Sequence, residues 1–352
     1  MENISDYTYH LPNERIAKFP LAERDMSKLL VFRNGVISSD IFSHLPNYFD
    51  AGDMLMFNNT HVIRARIEME KETGARIEIF CLEPHEPSDY QLSFAQKHSC
   101  QWKCMVGNIR KWKSGILKNN GKEIELQAEL VDSVGKYKII RFTWNNDIDF
   151  GSLLETCGNT PIPPYLNRKT EDIDETRYQT IYSKHRGSVA APTAGLHFTP
   201  QLMQRLTDNG VQFNEITLHV GAGTFLPVKH DIVTQHDMHV EFFSVPLEVI
   251  RNLLANNRLT VVGTTTLRAL ESIYWLGVKM LQNNSIVEKL HLDQWEAYEL
   301  PQDVSVAKSL KKILETLELR KADTIFASTK IMIVPGYKFR ICRRLITNFH
   351  QP

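Results

Sequence analysis

The spacing of apolar residues changes part-way along the chain, and this change limits the folds that the chain can adopt. Between residues 62 and 144, short runs alternate apolar with polar residues, as at Ile77, Ile79 and Cys81, and glycine-containing turns separate the runs. Closely spaced short runs with a period of two are typical of strands in a small barrel or sandwich. We therefore predict a small all-β barrel domain over residues 62–149.

Beyond Pro161-Ile162-Pro163-Pro164 the pattern becomes one of strands that lead into helices. Thr199 is a predicted N-cap, because Pro200 follows it at the first helical position and Gly210 lies just past the apolar stripe. Repeated units of this kind indicate an α/β fold. The other predicted elements are strands over 216–220 and 259–263, a helix over 267–276 that Gly277 ends, and an amphipathic helix over 304–319.

The first 60 residues match neither pattern clearly, but they contain one compact apolar run, Met54-Leu55-Met56-Phe57. We expect this run to pair with the α/β part of the chain. The predicted architecture is then a discontinuous α/β main domain, residues 1–61 and 150–352, with the β-barrel domain inserted into it.

Composition narrows the class of protein. The chain has 352 residues, of which 42% are hydrophobic and 23% charged, a balance typical of globular proteins. No window approaches the ~18 uncharged apolar residues of a membrane span, and no secretory signal is visible at the N-terminus. Five cysteines, an odd number, favour reduced thiols over a disulfide framework. We expect a cytoplasmic protein without a membrane partner.

The charges sum to zero, with 41 Lys plus Arg against 41 Asp plus Glu. This excludes a globally basic nucleic-acid binder but not a basic patch. Two stretches, 98–122 and 324–352, contain no acid, and Trp102 and Trp112 lie among the basic residues of the first. Such mixtures suit phosphate contact and base stacking; the alternative is two solvated faces. The candidate contacts are Lys103, Arg110, Lys111, Lys113, Lys338, Arg340, Arg343 and Arg344.

Two stretches are candidates for a small-molecule site. In 188–199, small residues beside Pro and Gly allow close approach to a ligand, and His197 precedes a helix start whose free N–H groups suit an anion. In 217–225, a strand carrying Thr217 and His219 ends in a glycine turn, and ligands favour the carboxyl ends of strands in α/β folds. The alternatives are a tight structural turn and a structural histidine.

A third stretch, 236–241, holds two imidazoles and two carboxylates. His236, His239 and Glu241 could ligate a metal ion. However, the histidines are three residues apart, whereas the usual helical metal motif has them four apart. Hydrogen-bonding roles are therefore favoured over a metal site.

A fourth stretch, 263–271, places the hydroxyl groups of Thr264 and Thr265 at a helix start. Arg268 and Glu271 are three residues apart and are predicted to share one face of the first turn. The alternative is a helix cap beside a surface ion pair.

Together these blocks closely resemble one family, the S-adenosylmethionine:tRNA ribosyltransferase-isomerases of queuosine biosynthesis. The resemblance covers nearly the whole chain, and Ala190–Thr199, with the sequence Ala-Ala-Pro-Thr-Ala-Gly-Leu-His-Phe-Thr, is its most specific part. The other matching blocks include Asp6-Tyr7, Pro20–Asp25, Asn58-Asn59-Thr60, Tyr178-Gln179-Thr180, Thr217–Phe225, His236–Glu241, Gly263–Glu271, Pro335-Gly336-Tyr337 and Thr347–His350.

The resemblance implies that S-adenosylmethionine serves as co-substrate and donates its ribosyl group instead of its methyl group. The acceptor would be 7-aminomethyl-7-deazaguanine at the wobble position of tRNA, and the products epoxyqueuosine, adenine and methionine. The resemblance also implies a discontinuous α/β domain interrupted by a β-barrel, and no metal or redox cofactor. We expect the protein to act as a monomer.

This chemistry suggests roles for the candidate residues. The sulfonium acidifies the ribose C5′ protons and adenine needs a proton to leave, so His197 and His219 are the predicted acid–base pair. Which of them is base and which is acid stays open. Arg268 and Glu271 complete the predicted catalytic set. The predicted substrate-binding residues are Thr193, Ala194, Gly195, Thr217, Gly221, Gly223, Thr224, His239, Glu241, Thr264 and Thr265.

One departure concerns the end of the chain. The family normally continues beyond Thr-Asn-Phe-His-x-Pro, whereas this sequence stops at Gln351-Pro352. We therefore expect the family's C-terminal segment to be absent. Two alternative functions remain: a tRNA-binding relative with impaired catalysis, which would fit the short C-terminus, and a metal-dependent hydrolase that would use His236, His239 and Glu241.

Overall fold

The computed structural model describes residues 3–119, 124–163, 166, 168–221, 231–282 and 290–349. Its strands are β1 (Lys28–Arg33), β2 (Val36–Ile41), β3 (Met54–Asn58), β4 (Thr60–Val62), β5 (Arg66–Glu70), β6 (Arg76–Glu86), β7 (Ser99–Val106), β8 (Ile116–Lys118), β9 (Leu126–Val134), β10 (Tyr137–Trp144), β11 (Gly158–Asn159), β12 (His185–Ser188), β13 (Gln212–His219), β14 (Glu241–Pro246), β15 (Leu259–Val262), β16 (His291–Leu292), β17 (Thr324–Thr329) and β18 (Arg344–Ile346).

The helices connect these strands and cover the sheets. They are α1 (Tyr90–Phe94), α2 (Phe150–Cys157), α3 (Asp172–Arg177), α4 (Pro200–Asp208), α5 (Leu247–Ala255), α6 (Thr264–Gln282), α7 (Glu296–Glu299) and α8 (Val306–Leu319). Short 3-10 helices include Ile4–Tyr7, Asn13–Arg15, Arg24–Met26, Phe42–Tyr48, Ile109–Lys111, Thr193–His197 and Val233–Gln235. Within the described ranges, no helix has the length and apolar character needed to cross a membrane.

The α/β domain is built on one mixed sheet with the strand order β16-β17-β14-β13-β3-β15-β18. Strands β13, β3, β15 and β18 are parallel to one another, while β14 is antiparallel to both of its neighbours. As a result β3, β13, β15, β17 and β18 end, and β14 begins, at the same edge of the sheet. We call this the carboxyl edge.

Strand β3 lies in the middle of this sheet, between β13 and β15. Its residues are buried on both faces: Met54 and Met56 pack in the core beneath α5, α6 and α8, and Leu55 and Phe57 pack in the core beneath α4. A strand covered on both sides is expected to be apolar without interruption. The prediction that this run joins the α/β part, and that the α/β domain is discontinuous, is therefore confirmed.

The inserted unit is a closed antiparallel barrel. The strand order β5-β6-β7-β10-β9-β8 closes because β8 pairs back onto β5, which confirms the predicted barrel. Trp102 and Trp112 are fully buried in its core, so the prediction that these two rings stack on bases is wrong. Helix α2, which begins just after residue 149, also packs into this core. The boundaries of the inserted domain at residues 62 and 149 stay a prediction.

Two helices illustrate how local and distant contacts set helix bounds. The Thr199 hydroxyl accepts a hydrogen bond from Leu202 N–H, and Pro200 begins α4, as predicted. The prediction that Gly277 ends a helix is wrong, because α6 continues to Gln282. A Cβ on Gly277 would lie 2.2 Å from Ser309 Oγ and 2.5 Å from the Ser309 carbonyl oxygen. Gly277 therefore marks the close crossing of α6 and α8.

Candidate active site

The carboxyl edge brings together chain segments that are distant in sequence. Glu241 begins β14, Thr264 opens α6 directly after β15, Ile331 follows β17, and Asn348 follows β18. In open α/β sheets, ligands bind at the edge where parallel strands end, because side chains and helix N-termini converge there. The topology thus identifies this edge as the place to look for a site.

A cavity of about 290 Å³ opens at this edge, beside the start of α6. Its wall is mostly apolar, and Arg268 is its one charged lining side chain among the described residues. This volume is at the lower end for ligand pockets, so the cavity suits one moiety of a larger ligand. The lining residues are Met238, Thr264, Leu267, Arg268, Ile331, Met332, Ile333, Phe339 and Leu345.

Arg268 is fixed from two directions through two of its three guanidinium nitrogens. Its Nη1 donates to Glu241 Oε2 at 2.6 Å, and its Nε donates to the Ile331 carbonyl oxygen at 3.0 Å. The buried Nη2 has no hydrogen-bond partner within the described residues. Because buried polar groups are nearly always paired, an unpaired guanidinium N–H beside a cavity indicates a place for an anionic group.

Glu241 is almost fully buried and holds this guanidinium in place. Burial alone would raise the pKa of the Glu241 carboxyl, but the adjacent Arg268 charge, with His239, holds this pKa below its usual value. His239 Nε2 lies 3.4 Å from Glu241 Oε1. The carboxylate therefore stays charged and acts as the counter-ion that keeps Arg268 inside the protein.

The start of α6 adds further donors at the same place. Thr264 and Thr265 are partly buried in its first turn, and the buried Thr266 hydroxyl has no partner within the described ranges. The first N–H groups of a helix have no partner inside the helix and carry partial positive charge. Of these residues, Thr264 and Arg268 line the cavity, so the helix start and the guanidinium give its otherwise apolar wall a positive potential.

Glu271, predicted to be catalytic, has a different position. Its Oε1 accepts from the Ile341 and Cys342 N–H groups, and its Oε2 accepts from the Arg340 N–H and the Tyr337 hydroxyl. The fully buried carboxylate thereby anchors the segment that leads into β18. Its oxygens are occupied by these donors, so the geometry favours a structural role over the predicted catalytic one.

His197 lies at the carboxyl edge on the opposite face of the sheet, beside the core that contains Phe198. Its Nδ1 is 2.9 Å from Ser27 Oγ, and its Nε2 is 2.9 Å from Asn348 Oδ1. The sequence reasoning missed both partners, although Asn348 belongs to the block Thr347–His350 that supports the family resemblance. Leu345, in the cavity wall, is only three residues from Asn348.

His219 ends β13 and lies between the two domains. Its ring stacks on Tyr90 of the barrel with a centroid distance of 4.5 Å, and a Cβ on Gly187 would lie 2.2 Å from its Nδ1. Nδ1 has no partner within the described residues. Burial, with the nearby His185, lowers the pKa of His219 to about 4. This enclosed position favours a structural joint over the predicted acid–base role.

Three of the seven small and glycine-turn residues predicted to bind substrate are packed against the protein itself. Ala194 is buried in the core, a Cβ on Gly195 would clash with the Tyr182 hydroxyl, and the Thr217 hydroxyl donates to Asn59 Oδ1 at 2.8 Å. Thr193 and Gly221 are partly buried. Gly223 and Thr224 lie outside the described residues.

The geometry does not favour the metal-dependent hydrolase. In the described part of the chain, no group of three or more His, Cys, Asp or Glu side chains is arranged to hold a metal ion. The carbonyl oxygen of His236 accepts from the Gln294 side chain, and Glu241 is engaged with Arg268. His236, His239 and Glu241 therefore do not form one ligand set.

The predicted tRNA contacts divide into two groups. Lys103 pairs with Glu83, Arg340 binds Gln302 and covers Trp275, and Arg344 pairs with the buried Asp53 at the edge opposite the site. These three side chains support the fold. The exposed group comprises Arg110, Lys111, Lys113, Lys338 and Arg343.

Comparison with known proteins identifies the family of the chain. The family model described as a queuosine biosynthesis protein matches residues 4–352. The chain belongs to this family. Two relatives of the chain are named S-adenosylmethionine:tRNA ribosyltransferase-isomerase. The Chlorobium chlorochromatii relative is 35% identical over 99% of this chain and 87% of its own length. The Cytophaga hutchinsonii relative is 36% identical, over 99% and 88%.

A crystal structure of an S-adenosylmethionine tRNA ribosyltransferase from Thermotoga maritima is 26% identical to this family member. The match covers 99% of this chain and 85% of the Thermotoga maritima chain, with a TM-score of 0.42. The predicted absence of a C-terminal segment is not supported, since the matches cover 99% of this chain.

The position of His219 predicts a pH dependence of stability. Its pKa is about 4 in the folded protein against 6.5 for an ordinary histidine. Its stabilising contribution is therefore complete above about pH 6.5 and is lost as the pH falls toward 4, because only the unfolded chain takes up the proton in this window. We expect the free energy of unfolding of His219→Phe, which keeps a stacking ring, to fall less over this window.

Urea unfolding at several pH values between 4 and 7 gives the free energy of unfolding at each pH. The quantity to compare is the slope of this free energy against pH. The exposed His10, replaced by Gln, is the control and should leave the slope of the parent protein unchanged. Equal slopes for the parent and His219→Phe would contradict the assigned environment.

Proposed function

We propose that this protein is an S-adenosylmethionine:tRNA ribosyltransferase-isomerase. It would transfer and isomerise the ribosyl group of S-adenosylmethionine onto 7-aminomethyl-7-deazaguanine at the tRNA wobble position, giving epoxyqueuosine, adenine and methionine. The observation that carries the proposal is the apolar cavity lined by Arg268, whose Nη2 has no hydrogen-bond partner within the described residues, in a chain of the queuosine biosynthesis family. The names of the relatives support the class of reaction and the two substrates, S-adenosylmethionine and tRNA, and the acceptor base and the products are the finer part of the proposal.

The cavity fits the methionine part of the co-substrate. A carboxylate would accept hydrogen bonds from Arg268 Nη2 and from the first turn of α6, since charge-assisted bonds to a guanidinium are among the strongest in proteins. The methylene chain would lie against Met238, Ile331 and Met332. About 290 Å³ is too small for the whole molecule, so the adenosyl part would extend along the carboxyl edge.

His197 remains the proposed acid–base residue. Imidazole is suited to removing a C5′ proton or protonating adenine near neutral pH. Ser27 and Asn348 occupy both of its ring nitrogens, and therefore substrate would have to replace one of these bonds. We assign His219 to the joint between the domains and Glu271 to the anchoring of the segment 337–342.

The substrate tRNA requires a basic surface. The exposed basic residues that the proposal retains are Arg110, Lys111, Lys113, Lys338 and Arg343. Each phosphate contact contributes to a salt-dependent affinity. The proposal includes a cytoplasmic location, because modification of tRNA takes place where tRNA is present. It also includes a monomeric state.

The first prediction of this proposal concerns adenine release. Wild-type protein should release adenine from S-adenosylmethionine when tRNA carrying 7-aminomethyl-7-deazaguanine is present, and chromatography measures the product. The same tRNA with guanine at the wobble position is the matched control and should give no release, because it lacks the attacking amine. A protein that binds the modified tRNA but releases no adenine would be an impaired relative, and the proposed activity would be withdrawn.

The second prediction concerns His197. We expect His197→Ala to lower kcat for adenine release by about 10²–10⁴, the usual contribution of a general acid or base, with an unchanged Kd for S-adenosylmethionine. The control is His44→Ala, which removes an exposed histidine bonded to Asp40. Single-turnover kinetics and calorimetry separate the two quantities. Turnover of His197→Ala at the wild-type rate would exclude the assignment.

A further inference from the structure

Exposed apolar side chains are concentrated at the N-terminal end of the chain. Of the 23 large apolar side chains that are exposed in the described residues, nine lie between Tyr7 and Ile37. Phe32 is 74% exposed and Ile37 is 66% exposed. Scattered exposed apolar residues need no explanation, but a cluster of them indicates an interaction surface.

Four of these nine side chains, Leu30, Phe32, Val36 and Ile37, lie on the hairpin of β1 and β2. The two strands pair in register, so that Phe32 lies opposite Ile37, and Leu30 lies opposite Ser39. Residues opposite each other share a face. Leu29, on the other face, packs against the core beneath α4. The face that carries Leu30, Phe32 and Ile37 therefore points away from the protein, and we call it the outer hairpin face.

The hairpin begins beside the candidate acid–base residue. Ser27, which binds His197, immediately precedes β1. Leu29 packs in the same core as Ile346 of β18, and Phe349, three residues further on, is 80% exposed. Five extended residues span roughly 17 Å, and so Phe32 lies within that reach of Ser27. A macromolecular substrate reacting near His197 would meet this face.

The charges around the face favour a polyanion. Lys28 lies on the outer hairpin face, two residues before Leu30, whereas Arg33 lies on the other face, beside the turn that joins the strands. Both side chains are exposed and form no ion pair within the described residues. Asp40 is the only acid in the two strands, and it is already bound by His44 and the Tyr48 hydroxyl. The neighbouring stretch 324–352 contains no acid. An apolar face that carries an unpaired cation complements a nucleic acid, in which flat bases alternate with negatively charged phosphates.

We infer that the outer hairpin face is a stacking surface for the unpaired bases of the tRNA anticodon loop, with Phe32 as its central contact and Lys28 as a phosphate contact. Single-stranded loops are recognised by splaying bases onto aromatic side chains, while basic residues follow the backbone. The inference rests on the proposed function for the identity of the RNA. It adds a binding surface that the acid-free stretches 98–122 and 324–352 did not predict.

The test measures RNA binding directly, by fluorescence anisotropy, in the full-length protein. The probe is a labelled anticodon stem–loop with 7-aminomethyl-7-deazaguanine at the wobble position. We expect Phe32→Ala to raise its Kd roughly tenfold, since loss of a stacking contact has effects of this order, and Phe32→Tyr to restore binding. The affinity for a loop-free RNA duplex should not change.

Phe326→Ala is the matched control, because Phe326 is 72% exposed and lies on β17, toward the other end of the sheet. It should bind the stem–loop as the wild type does. An unchanged Kd of Phe32→Ala would overturn the inference. The inference would also be overturned if Phe32→Ala changed only the self-association of the protein, measured by light scattering, because the face would then bind a second copy of the chain.

Adenine release by the wild type distinguishes this failure from failure of the proposed function. If release requires the modified tRNA but Phe32→Ala binds normally, the stacking surface is wrong and the function stands. If Phe32→Ala loses loop binding but the wild type releases no adenine, the surface stands and the function is wrong.

Discussion

The buried ion pair between Glu241 and Arg268 joins the parts of the structure that meet at the carboxyl edge. Glu241 begins β14, Arg268 lies in the first turns of α6, and the Ile331 carbonyl that completes the contact follows β17. Removing two charges from water is costly, and it is tolerated when each charge is paired with good geometry. The third guanidinium nitrogen, Nη2, has no hydrogen-bond partner within the described part of the chain. The same arrangement that stabilises the edge thus leaves one cationic position open for a ligand.

The edge itself depends on an interrupted chain. The central strand β3 precedes the barrel in sequence, whereas its partners β13 and β15 follow it. The barrel must therefore leave and re-enter the α/β domain next to the carboxyl edge, where β4 pairs with β12. His219 stacks on Tyr90 at this junction. Orientation of the barrel and geometry of the site are consequently linked through a few packed side chains.

Features governed by local periodicity could be predicted from the sequence. The alternating runs gave the barrel strands, and Thr199 with Pro200 gave the start of α4, since these signals depend on neighbours in sequence. Features governed by distant contacts could not be predicted in the same way. Trp112 is buried because the barrel closes around it, Gly277 lies inside a helix because Ser309 packs on it, and Glu271 binds a segment 66 to 71 residues away. In the site, the Arg268 partner was missed because Glu241 reaches it only through the pairing of β14 in the sheet.

The central claim is that Arg268 holds the carboxylate of S-adenosylmethionine, and a thermodynamic cycle tests it most directly. Calorimetry would give Kd values for S-adenosylmethionine and for its carboxamide analogue, each with the wild type and with Arg268→Gln. If Arg268 holds the carboxylate, the binding free energy of the wild type should favour S-adenosylmethionine over the carboxamide by about 2 kcal/mol, typical of a hydrogen bond to a charged group. Arg268→Gln should lose this preference. An equal preference in both proteins would contradict the assignment of Arg268, because the carboxylate would then bind elsewhere.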